Sequence, residues 1–177
     1  MRQVFVQQEL KESCLKMISA EGLKEIDRAI AKYPVDQKQS AVMTALAVAQ
    51  EEHGWLSPEL MQFVASYLGM PDVAVQEVAT FYTMYETRPV GKHKITLCTN
   101  LPCQLGPHGG AESTAAYLKQ KLGIDFGETT PDGRFTLKEG ECMGACGDAP
   151  VLLVNNHRMC SFMSREKIDQ LLEELSK

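Results

Sequence analysis

Apolar residues recur every third or fourth position through the first half of the chain and gather into short β-branched runs in the second, so the period itself divides the sequence. Leu23, Ile26 and Ile30 predict a helix from Ser19 that stops at Tyr33-Pro34, because proline disfavours helical backbone in the residue before it. Asp36 is the expected N-cap of a second helix over Gln37 to Glu52, with Val42, Leu46 and Ala49 on one face and Gly54 as its C-cap. Ser57-Pro58-Glu59 starts a third helix, which Gly69 closes. Pro71-Asp72 opens a fourth, in which Val78, Phe81, Tyr82 and Tyr85 keep helical spacing. Joined by short links, these four make a small helical bundle over residues 19–88. Residues 1–18 carry scattered apolar positions and read as an N-terminal arm without assigned function.

Around Arg88-Pro89-Val90-Gly91 the period changes, and residues 92–177 form the second expected domain. Lys94 to Leu97 reads as a strand running into Cys98, and Leu105 to Gly110 as a Gly/Pro-rich loop. Ala111, Ala115, Leu118 and Leu122 share a helical face ended by Gly123. Thr130-Pro-Asp-Gly133 is a turn before a short strand, Arg134 to Leu137. Val151 to Val154 and Arg158 to Phe162 flank a hairpin turn at Asn155-Asn-His157, and Ser164 caps a last helix with Ile168, Leu171, Leu172 and Leu175 inside. The order β-α-β-β-β-α predicts a thioredoxin-like α/β unit. The fold class is therefore α+β, a helical bundle followed by that unit.

Composition narrows the function. A chain of 177 residues, 44% hydrophobic, is long enough for one medium or two small cores. Its net charge of -5 and lack of any basic block argue against a nucleic-acid partner. No run approaches the ~18 apolar residues that signal a bilayer span, which excludes direct membrane insertion from the reading. The opening residues, with Glu9 and Glu12, fit neither a secretory nor a mitochondrial leader, so a cytoplasmic location is expected. In that reducing compartment, clustered cysteines mean metal or catalysis rather than structural disulfides.

Of six cysteines, four fall in two clusters, Cys98-Thr-Asn-Leu-Pro-Cys103 and Cys142-Met-Gly-Ala-Cys146. Two pairs on separate loops suit a 2Fe-2S core, in which each of two sulfide-bridged irons takes two thiolates. A four-cysteine zinc site competes for the same ligands, although its knuckles prefer tighter C-x-x-C turns. A thiol-disulfide enzyme would want that same spacing at a helix start, and neither pair has it. The thiolate charge is expected to be met by backbone amides rather than carboxylates, with Gly106, Gly144 and Gly147 leaving the sulfurs open to them and Pro102 and Pro150 stiffening the loop edges. Cys14 and Cys160 read as ordinary residues, Cys160 packed in the hairpin. His53, His93, His108 and His157 read as solvent-exposed, with His108 near enough to the first pair to support it. Trp55 and the stretch Phe81 to Tyr85 read as core or packing residues, with a docking surface as the alternative. No G-x-G-x-x-G or Walker loop is present, so dinucleotide binding by this chain alone is not expected. A 2Fe-2S centre passes single electrons, and a link to nicotinamide needs a flavin on another chain.

The segments Val78-Ala-Thr-Phe-Tyr82, Pro89-Val-Gly91, Cys98 to Cys103, Asp132-Gly-Arg-Phe135 and Cys142 to Pro150 resemble the small thioredoxin-like 2Fe-2S subunit of bacterial NADH:quinone oxidoreductase (respiratory complex I). The resemblance spans roughly Gly22 to Leu175. It implies that Cys98, Cys103, Cys142 and Cys146 ligate the cluster and that no residue of this chain is catalytic. It also implies a helical unit packed on a flavoprotein subunit that carries FMN and binds NADH. Other peripheral-arm subunits would be further partners, and the complex would lie on the cytoplasmic face of the inner membrane. Similar subunits serve NAD-linked hydrogenases and formate dehydrogenases, and a zinc-stabilised interaction module is the alternative outside redox chemistry.

Overall fold

Several helix starts in this chain are set by serine hydroxyls accepting amides that the first turn leaves without partners. In the computed structural model, which describes residues 17–107 and 109–177, Ser19 accepts from the Gly22 amide at 3.0 Å and opens α1, Ala20–Ile30. Ser57 accepts from the Leu60 amide at 3.3 Å and opens α3, Pro58–Leu68, with Pro58 in its first turn. Helix α2, Val42–His53, starts later than its sequence pattern implies, and Asp36 does not cap it. Residues Lys38–Ala41 instead wind into a 3₁₀ turn, and the Asp36 carboxylate accepts from the Gln37 side chain. Gly54 and Gly69 end α2 and α3 in the left-handed conformation, which costs a residue without a Cβ nothing.

The chain divides between Pro89 and Val90 into two compact units. In the first, α1, α2, α3 and α4 (Asp72–Phe81) surround one core in which Ile26, Leu46, Leu56, Val64 and Val75 are fully enclosed. Ile18, at the end of the expected arm, is also buried there; residues 1–16, with Cys14, lie outside the described residues. Helix α4 buries Val75 and Ala79, and the expected apolar face fails beyond Val78. The backbone leaves the helix at Tyr82, so Phe81 is 77% exposed and Tyr82 is exposed beside it. Tyr85 returns to the core, where its hydroxyl donates to the Met43 carbonyl at 2.8 Å. Trp55 is half-buried.

The second unit is a four-stranded sheet in the order β2-β1-β3-β4, from β1 (His93–Cys98), β2 (Phe135–Gly140), β3 (Leu152–Val154) and β4 (Arg158–Cys160). Strands β1 and β2 run parallel, from His93 opposite Phe135 to Cys98 opposite Gly140. A parallel pair needs a crossover, which passes through α5 (Leu101–Gln104) and α6 (Gly110–Leu122). Strand β3 lies antiparallel to β1, and β4 closes a hairpin whose turn holds Asn155 and Asn156 at positive φ. Ile95, Leu97, Leu118, Leu137, Leu152 and, from α7 (Arg165–Leu175), Ile168 are fully buried. The expected order of elements stands, with two differences. Strand β2 runs on to Gly140, and the short helix α5 takes up the first cysteine loop. Among the described residues no helix is long and apolar enough to cross a membrane.

Candidate metal centre

Both cysteine segments leave the sheet at the same end of its strands, because Cys98 ends β1 and lies opposite Gly140, the last residue of β2, two positions before Cys142. The carboxyl ends of adjacent parallel strands are where open α/β sheets place their ligand sites. Cys103 is carried back toward Cys98 by α5, whose amides at Cys103 and Gln104 bond the Asn100 carbonyl at 2.9 and 3.0 Å. Cys98 and Cys103 are buried, each 1% exposed, against Ala111, Ala149 and Val151. Cys142 and Cys146 are exposed.

The Sγ atoms of Cys142 and Cys146 stand 3.6 Å apart. Two sulfurs each about 2.3 Å from one tetrahedral metal are separated by about 3.8 Å, so this pair already spans one edge of such a centre. Among the described residues no three His, Cys, Asp or Glu side chains stand close enough together to hold a metal ion as they are placed here. The Gly144 amide donates to Cys142 Sγ at 3.4 Å, from a turn that holds Gly144 at φ 74°. Burial first, then the adjoining Cys98 thiol, pushes the Cys103 thiol up to about 11. The Cys142 thiol chiefly, then burial and the charges of Cys142 and Cys98, raises that of Cys146. Sulfurs of different loops are therefore within electrostatic reach of one another. As thiols they oppose each other's ionisation, and a bound cation reverses that opposition, which is how metal loading releases protons.

The glycines divide by role. A Cβ on Gly106 would meet the Ala149 Cβ at 3.0 Å and the Cys103 carbonyl at 3.1 Å, so this glycine lets the two cysteine loops pack together. Gly144 serves its turn, while Gly147 faces open space. Nearby charge departs from the sequence expectation: carboxylates do flank the site. Glu139 Oε1 accepts from Thr99 Oγ1 at 2.8 Å, and Glu141 Oε2 accepts from Asn100 Nδ2 at 2.9 Å. Sequence reasoning missed both contacts, and the one signal for them was a glutamate adjoining Cys142 and an asparagine inside the first pair. It also missed α5, for which Asn100-Leu101-Pro102 is a helix start.

The remaining candidates stand apart. Cys160 is partly buried on β4 against the sheet core, with its thiol raised mainly by burial. His53 is exposed and lies 2.6 Å from the Met17 carbonyl, and His157 is exposed in the hairpin turn. His93 contradicts the exposed reading, since its ring nitrogens are buried beside Phe135. His108 lies outside the described residues.

By fold and site this is a mixed α/β protein built around clustered thiols. It belongs to the thioredoxin-like 2Fe-2S ferredoxin family, whose model matches residues 26–176. Over 150 residues it is 44% identical to an E-type NADH-quinone oxidoreductase subunit of Rhizobium meliloti (strain 1021), covering 85% of this chain and 86% of that one. It is 37% identical to NADH-quinone oxidoreductase subunit 2 of Thermus thermophilus, covering 85% of this chain and 81% of the other. It is 41% identical to the E-type subunit of the same oxidoreductase in Rickettsia felis, covering 83% and 86%. Among solved structures, a chain of an NAD+-reducing NiFe-hydrogenase superposes with a TM-score of 0.63 at 22% identity, over 75% of this chain and 22% of that one.

Proposed function

We propose that this chain is the electron-transfer subunit of an NADH-quinone oxidoreductase and that Cys98, Cys103, Cys142 and Cys146 hold its single 2Fe-2S cluster. The observation that carries the reading is the β1 and β2 register, which sets Cys98 opposite Gly140 and so starts both cysteine segments from adjacent strand ends. Two further facts support it. The family is defined by such a cluster. The 3.6 Å between the Cys142 and Cys146 sulfurs suits two thiolates on one iron, and a bridged pair of irons takes its thiolates in twos.

When bound, the cluster stores and passes one electron at a time. The chain's own residues enclose two ligands in an apolar pocket, leave the other two at the surface for exchange with a partner, and supply the Gly144 amide to Cys142. The partner is a flavoprotein subunit holding FMN and NADH, with other peripheral-arm subunits around it. The helices of residues 19–88 act as a bundle that docks the 92–177 ferredoxin domain on that partner, on the cytoplasmic face of the inner membrane. The fold likeness to a hydrogenase chain favours one second reading, an equivalent subunit of an NAD-linked hydrogenase; the identities of 37–44% to oxidoreductase subunits favour the first.

Single Cys→Ser variants test the ligand set. Each of the four is expected to lower iron and sulfide content of the anaerobically purified chain, and Cys160→Ser to leave it unchanged. Full cluster content in any one of the four overturns that ligand.

A further inference from the structure

We propose that Asn100 and Glu141, with Thr99 and Glu139 beside them, form a clasp that fixes the spacing of the two thiol pairs, making Glu141 a positioning residue for the cluster. This rests on the ligand reading above. Both strands end at Cys98 and Gly140, and one backbone bond, from the Thr99 amide to the Gly140 carbonyl at 3.0 Å, prolongs the ladder. Past it, the loops are joined by the Asn100 to Glu141 bond at 2.9 Å, while the Thr99 hydroxyl reaches back to Glu139 of β2 at 2.8 Å.

Each end of the first of these bonds is close to a ligand. Glu141 adjoins Cys142. Asn100 occupies the N-cap of α5, where an asparagine side chain ordinarily accepts amides of its own helix. Here it makes no such cap, and its amide donates across to Glu141 instead. Its backbone carbonyl still holds the Cys103 amide at 2.9 Å, so a shift of Asn100 carries Cys103 with it. Two carboxylates beside an anionic thiolate centre are electrostatically unfavourable, and the clasp offsets that cost. Their charge also disfavours arrival of an electron, which holds the reduction potential down. Because both side chains are exposed, that influence is screened by salt over a Debye length of about 10 Å at 0.1 M.

The test uses the full chain, purified anaerobically, as wild type, Asn100→Ala, Glu141→Ala, Glu141→Gln and the double alanine variant. Iron and sulfide per chain, the rate of cluster loss to a chelator, and the midpoint potential in a dithionite titration are measured. Either alanine variant is expected to lose its cluster roughly fivefold faster, and the double variant no faster than the singles, because all three break one bond. Glu141→Gln, whose amide oxygen still accepts from Asn100, keeps the wild-type lifetime and titrates at a more positive potential, by a margin that shrinks as salt is raised. Wild-type lifetimes in both alanine variants, additive losses in the double variant, or a glutamine variant as labile as the alanine one overturn the clasp. A wild type without iron and sulfide overturns the cluster reading itself, and the clasp with it.

Discussion

At the scale of single residues, buried polar groups in the second unit carry the sharpest expectations. Burial foremost, then the charges of Lys92 and Arg134, lowers the pKa of His93 from its ordinary value of 6.5, and the Leu175 carbonyl, near the ring but outside bonding geometry, pulls the other way. A lowered folded value means that the unfolded chain takes up a proton the folded chain refuses, so stability falls as pH drops through 6.5 toward the folded pKa. Denaturant titrations from pH 8 to pH 5 are expected to show that loss, and His93→Phe, which keeps a ring against Phe135, to flatten it. Equal slopes in both proteins would contradict the assignment. Two left-handed glycines separate backbone strain from steric conflict. At Gly110, φ 66°, a Cβ would lie 1.9 Å from the Gln104 carbonyl oxygen, next to Cys103; at Gly123, φ 68°, it meets nothing within 4 Å. Gly123→Ala is expected to cost about 1 kcal/mol and Gly110→Ala on the order of 2–4 kcal/mol, with lower cluster content only in the second, as read by thermal melts and iron assay.

Elements whose limits depend on local chemistry were legible in the sequence. Ser57 and Ser164 cap the helices they were expected to cap, Ser19 stands as the cap of a helix expected to start with it, and Gly54, Gly69 and Gly123 end theirs, because capping involves only residues three or four apart. Failures lie where distant residues or competing local geometry decide. The 3₁₀ turn before α2 displaced Asp36 from a cap, and the end of α4 at Phe81 left apolar residues exposed that the period had placed inside. The paired cysteines were visible as a pattern, and so was the strand that runs into Cys98; that β1 and β2 end side by side was not, since it depends on their parallel register. The Thr99 to Glu139 and Asn100 to Glu141 contacts were not, since their partners are 40 and 41 residues apart and meet only through the parallel register.

For the whole molecule, the proposed division of labour follows the division into two units, a helical one that docks and a thiol-bearing one that carries charge. The proposed chemistry rests on whether the four thiols of the second unit bind irons. Metal and acid-labile sulfide analysis of the full chain purified without oxygen, with a paramagnetic spectrum before and after one-electron reduction, tests this most directly. The account predicts about two irons and two sulfides per chain and a signal that appears only on reduction. Stoichiometric zinc without iron or sulfide would contradict it.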